Sequence, residues 1–106
     1  MQYAFDHETL DSYRLALEVA RWISSVKFPS GMADLRDQGV RAARSAVLNI
    51  AEGRSRGGDA GRNHYRIALG SAAETCSVLD LVVLPEGEEH QQKLRRVGVM
   101  LRQMAR

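Results

Sequence analysis

The sequence predicts an all-α protein, an up-down-up-down antiparallel four-helix bundle folded as a single domain over residues 1–106. Three observations carry this. Apolar residues recur at steps of three and four through four segments. Turn signals separate the segments, at Phe28-Pro29-Ser30-Gly31, at Arg54-Ser55-Arg56-Gly57-Gly58-Asp59-Ala60-Gly61 and at Pro85-Glu86-Gly87. Finally, the one strand-like run, Leu81-Val82-Val83-Leu84, has no second run to pair with, and is expected as the buried end of a helix.

The first helix, capped by Thr9 or Asp6, runs to about Lys27, with Leu10, Tyr13, Ala16, Leu17, Ala20 and Ile23 on its inner face. Pro29 disfavours helical geometry at Phe28 and ends it. The second spans Met32 to Glu52, with Leu35, Gly39, Ala42, Ala46 and Ile50 inward, and Gly53 stops it as a C-terminal glycine. Asp59 is a fitting N-cap for the third helix, from about Ala60 to Val83, whose inner residues include Tyr65, Ala68, Leu69, Ala72, Cys76 and Leu79. Glu86, Glu88 and Glu89 suit the positive N-terminus of a fourth helix carrying Leu94, Val97, Leu101 and Met104, in which Gly98 is a weak point.

Composition narrows the function. Hydrophobic residues make up 44% and charged residues 26%, as in an ordinary globular domain. The chain begins without a basic and apolar leader and has no run of about 18 apolar residues, so a cytoplasmic protein with no membrane partner is expected. The net charge is only +2, yet it is unevenly spread. Arg36 to Arg66 holds seven arginines against three acids, Glu74 to Glu89 five acids and no base, and Lys93 to Arg106 five bases and no acid. Such basic segments suit phosphate or carboxylate partners.

Catalytic and cofactor chemistries fail on residue counts. One cysteine and three histidines, His7, His64 and His90, all expected at the surface, do not assemble a zinc site, and the Glu-x-x-His pairs of a di-metal bundle are missing. Gly53 to Gly58 has the glycine spacing of a phosphate loop, but Asp59 and Ala60 replace the required lysine and hydroxyl. No cofactor, metal or enzymatic activity is expected.

Two residue sets remain. Ser45, Asn49 and Glu52 stand at i, i+4 and i+7 on helix two, and Gly70, Ser71 and Glu74 mirror them on helix three. With Gly53 they form a polar motif in which Ser45, Asn49, Ser71 and the two carboxylates are expected to satisfy one another, backbone groups or arginines, and pin helix register and orientation. Arg54, Arg56, Arg62 and Arg66 are the second set. They are expected to surround one concavity with free helix-end amides, suited to phosphate, although pairing with Glu52, Asp59 or another copy's acidic turn competes.

Phe28-Pro29, the run Arg41-Ala42-Ala43-Arg44-Ser45-Ala46-Val47-Leu48-Asn49-Ile50-Ala51-Glu52-Gly53 and the run Ala68-Leu69-Gly70-Ser71-Ala72-Ala73-Glu74 together resemble the four-helix-bundle family first noticed as reading frames in intervening sequences of bacterial 23S ribosomal RNA genes. The likeness covers about Tyr13 to Leu84. It implies a non-enzymatic bundle, similar in fold to the accessory protein of diversity-generating retroelements, a ring of five bundles that binds nucleic acid and a reverse transcriptase. A homopentamer offering its arginines to RNA or DNA, with a reverse transcriptase as protein partner, is therefore the expectation. A protein-interaction scaffold without nucleic acid is the alternative. The apolar supply of Val78 and Leu81 to Leu84, more than one small bundle covers, points to self-association independently.

Overall fold

A computed structural model describes residues 4–106. Among these, a 3-10 turn (Asp6–Thr9) precedes four helices, α1 (Asp11–Ser25), α2 (Ala33–Arg56), α3 (Gly58–Asp80) and α4 (Gly87–Met104), and there is no strand. Each helix packs on two neighbours, in the cycle α1–α2–α3–α4–α1 that an antiparallel bundle requires.

The inner stripes follow the apolar spacing. Val19, Ile23, Ile50, Ala68, Val97 and Leu101 are the best buried apolar side chains, and small residues on α2, Ala42, Ala43 and Ala46, let the neighbouring helices come close. Two hydroxyls also lie in the core. Thr75 donates to the Ser71 carbonyl one turn back at 2.8 Å, and Ser12 reaches the Met104 sulfur at 3.6 Å, so each is buried with a partner. Their partners are local or soft, which is why hydroxyls sit where the spacing calls for apolar side chains.

Four boundaries differ from the sequence expectation. Neither Thr9 nor Asp6 caps α1; they belong to the 3-10 turn, and Leu10 precedes α1 without a side-chain cap. Gly53 does not stop α2, which continues another turn to Arg56. The stop is Gly57, whose φ of +67 is in the left-handed region that glycine enters freely. The long glycine-containing segment is consequently no loop: α3 starts at once, and Asp59 lies in its first turn, not at its cap. Gly53 and Gly61 instead serve close approach, for a Cβ on Gly53 would lie 2.6 Å from the Tyr65 ring, and one on Gly61 would lie 2.5 Å from the Gly53 carbonyl oxygen.

Past α3, Leu81 to Leu84 is not a buried helix end. Val82 and Leu84 are buried, whereas Leu81 and Val83 are 69% and 95% exposed. Pro85 holds Leu84 away from helical geometry, and the resulting non-helical link turns alternate side chains outward. Glu86 then takes a left-handed φ of 65 to open α4.

Candidate nucleic-acid interface

The polar motif resolves into a hydrogen-bonded chain and two outlying carboxylates. Asn49 sits on α2 one turn beyond Ser45, and its amide nitrogen donates to the Ser45 carbonyl at 2.9 Å and reaches the Ser45 hydroxyl at 3.2 Å. Across the α2–α3 seam the Ser45 and Ser71 hydroxyls lie 2.8 Å apart. With the Asn49 nitrogen so committed, its oxygen faces His64 and accepts from Nδ1 at 2.8 Å. A row from His64 to Ser71 therefore ties α3 to α2 at two heights. Such paired, half-buried polar groups favour one register over its neighbours.

Glu52 and Glu74 stand apart from this row. Glu52 pairs with Arg56 at 3.3 Å, and the exposed Glu74 carboxylate accepts from Gln38 at 3.3 Å. Their longer side chains reach water, which spares the cost of burying a carboxylate without a cation. Gly70 is equally outward: a Cβ there would meet nothing within 4 Å.

The arginines gather at one end of the bundle. Arg54 and Arg56 lie in the last helical turn of α2, where the helix dipole favours cations. Arg62 and Arg66 follow on α3, and Arg66 donates to the Ala105 carbonyl at 3.1 Å, bringing the α4 C-terminus to the same end with Arg102 and Arg106. The four expected residues do not surround a single concavity. Arg54 borders a recess formed with the N-terminal turn, Arg56 turns back to Glu52, Arg62 pairs with Asp59 in the first turn of α3, and Arg66 spans to α4. The Asp59 partner offsets the dipole penalty of a cation near a helix start. Among the described residues, Arg54, Arg66 and Arg102 have no carboxylate within ion-pairing distance.

The Arg54 guanidinium lies near the hydroxyl of Tyr65, a buried residue. Burial raises the pKa of that hydroxyl above the ordinary 10.0, while the positive charge of Arg54 pulls it back. Arg102 and Arg106 escaped the expected set because only the third dimension brings the C-terminus beside Arg66; the basic charge of the tail was their signal.

The opposite end is acidic, with Asp34, Asp37, Asp80, Glu86, Glu88 and Glu89 at or near the helix ends and links there. His90 overturns its expected surface placement. It is 4% exposed, stacks on Trp22 with ring centroids 4.0 Å apart, and donates from Nδ1 to the Glu86 carbonyl at 2.9 Å. Glu86, Glu89 and His90 place ligand-type atoms within 4.8 Å of one another, but both carboxylates are exposed, and the ring is already used in closing α4 onto α1. His7 and His64 are likewise half-buried, His7 against Tyr13 and His64 on Asn49.

Among the described residues no helix is long and apolar enough to cross a membrane. A family model described as 23S rRNA-intervening sequence protein matches residues 8–102, which takes in all four helices almost whole. No curated protein matches the chain.

Proposed function

This chain belongs to the 23S rRNA-intervening sequence protein family, and from that membership and its arginine-rich end we propose a non-catalytic, self-associating module that binds RNA or DNA through phosphate. The observation that carries this reading is the charge polarity of the bundle. Arg54, Arg56, Arg62, Arg66 and Arg102 lie toward one end and outnumber the Asp6, Glu52 and Asp59 carboxylates beside them, while at the other end Asp34, Asp37, Asp80, Glu86, Glu88 and Glu89 outnumber Lys27 and Arg36. Exposed ion pairs such as Arg56–Glu52 and Arg62–Asp59 are worth about 0–1 kcal/mol, so phosphate can compete for those guanidinium groups.

Self-association belongs to the same proposal. Leu48, Leu81, Val83 and Val99 are each at least 60% exposed, and Gly70 leaves open space on α3 beside Ile67. A closed ring, for which five copies is the number suggested by the family resemblance, covers such surface and repeats the basic end around an axis. Weak contacts then add through multivalency. A reverse transcriptase is the protein partner this reading admits.

A protein-interaction scaffold is the second reading, favoured by the two arginines that already hold carboxylates. Titration of a labelled oligonucleotide at low and moderate salt separates the two, with light scattering on the same sample. The nucleic-acid reading expects salt-sensitive binding with little sequence preference, weakened by Arg54→Glu with Arg56→Glu while the oligomer persists. Absence of binding at low salt, or indifference to the double reversal, leaves the scaffold. A monomer at all concentrations removes the ring.

A further inference from the structure

The N-terminal turn carries aromatic surface that the bundle core does not use. Phe5 is 75% exposed, yet its backbone is held in place, with its amide donating to the Glu8 carboxylate at 2.7 Å. Its ring lies nearly parallel to that of His7, centroids 5.9 Å apart and planes 10° apart, and His7 in turn sets its edge against Tyr13 at 4.6 Å. Phe5 and His7 thus form an ordered wall backed by α1.

Recesses border this wall. One, of about 310 Å³, is shared with Arg54 and Ser55; the other, of about 570 Å³, is shared with Leu48 and Ala51 of α2. Both volumes are in or near the range of small-ligand clefts, about 300–1,000 Å³. One recess offers a guanidinium and a hydroxyl, the other an apolar floor, and the exposed Phe5 ring stands between them. Carboxylates are also present, Asp6 in the first and Glu52 in the second. They repel the two phosphate rows of a duplex more than a single strand, of which one phosphate meets Arg54 while the unpaired base presents a π-face and donor edges.

We propose that Phe5 and His7 form a stacking platform for an unpaired base of single-stranded RNA or DNA, with Arg54 and Ser55 receiving the adjoining phosphate. The proposal rests on the nucleic-acid reading above and narrows it to single strands. Stacking tolerates any base, so it supplies affinity without sequence preference.

The test titrates the full chain with a labelled single strand, as RNA and as DNA, with the matching duplex, and with a strand of the same length whose nucleotides are abasic. The single strand is expected to bind more tightly than the duplex and the abasic strand. Phe5→Ala is expected to weaken single-strand binding by about five- to a hundredfold in whichever of RNA or DNA binds better, leaving duplex binding unchanged, and Phe5→Trp to restore it. Because Phe5 lies outside the core, circular dichroism of the variants should match the parent. Equal loss on single strand and duplex, no loss in Phe5→Ala, or tighter binding of the abasic strand overturns the platform. Should the Arg54→Glu with Arg56→Glu double reversal abolish binding while Phe5→Ala is silent, the platform falls and phosphate binding stands. No binding of any nucleic acid at low salt removes both.

Discussion

Replacing Gly61 by alanine tests whether α2 and α3 cross as closely as described. The new Cβ would lie 2.5 Å from the Gly53 carbonyl oxygen, about 0.9 Å inside the 3.4 Å at which ordinary contact begins. The obstacle is backbone, and Gly53 is itself held by the hydrogen bond from Gly57 at 3.0 Å, so a side-chain rotation cannot relieve it. Separating the helices costs on the scale of overpacking, about 1–3 kcal/mol. Alanine returns at most about 1 kcal/mol of helix propensity, and less in the first turn of α3 than in a helix interior. A net loss of about 1–2 kcal/mol is expected, a fall in Tm of about 4–16 °C for a domain of this size.

Gly98→Ala is the matched control, the same chemical change in the interior of α4, with Leu69 at an ordinary 3.7 Å. There propensity dominates, and Tm is expected to rise by about 4–8 °C. Thermal unfolding followed by circular dichroism, at one protein concentration because the proposed self-association would shift Tm, reads both variants. A Gly61→Ala protein as stable as Gly98→Ala would refute the close crossing.

Two further outcomes follow from named contacts. Asn49→Leu leaves the His64 Nδ1–H and the Ser45 groups short of a partner and should cost about 1–3 kcal/mol in urea unfolding, whereas Glu74→Leu, at an exposed carboxylate, should change stability by less than about 0.5 kcal/mol. Tyr65 sets an alkaline limit: its hydroxyl titrates above 10.0 in the folded chain, so the fold holds that proton longer than the unfolded chain does, and stability present below about pH 10 is lost as pH rises through the folded value. Tyr65→Phe should remove that part of the alkaline decline in unfolding midpoints, and Arg54→Glu should push the phenolate absorbance transition of Tyr65 to still higher pH.

The helices were legible because their inner stripes are regular, and the errors fall where one residue type serves two purposes. Glycine is both a helix stop and a point of close approach, since both uses need the missing Cβ; Gly53 and Gly57 are four residues apart and the sequence alone gives no preference between them. His90 was misplaced because its neighbours are acidic, although it stands four residues before Leu94 in the stripe that continues through Val97 and Leu101, and that spacing was the available signal. The expectation that Ser45, Asn49 and Ser71 satisfy one another agrees with the structure because their side chains are short. Glu52 and Glu74 share the spacing but leave the row, because a long carboxylate on the same line can still reach water. The arginine end was half visible: Arg54 to Arg66 are close in sequence, but their meeting with Arg102 depends on how α4 returns.

The stack of Trp22 on His90 gives the molecule an internal optical probe. The chain has one tryptophan, so its emission is a single-site signal, and its partner ring, 4.0 Å away, belongs to the first turn of the last helix. Any event that lifts that helix off the first exposes the indole and changes both its emission and its quenching by solutes. The arginine-rich end is the far one, so the phosphate binding proposed there is expected to leave the indole in place. Fluorescence thus follows the opening of α4 from α1 without an attached dye, and is expected to stay unchanged under the strand binding proposed above.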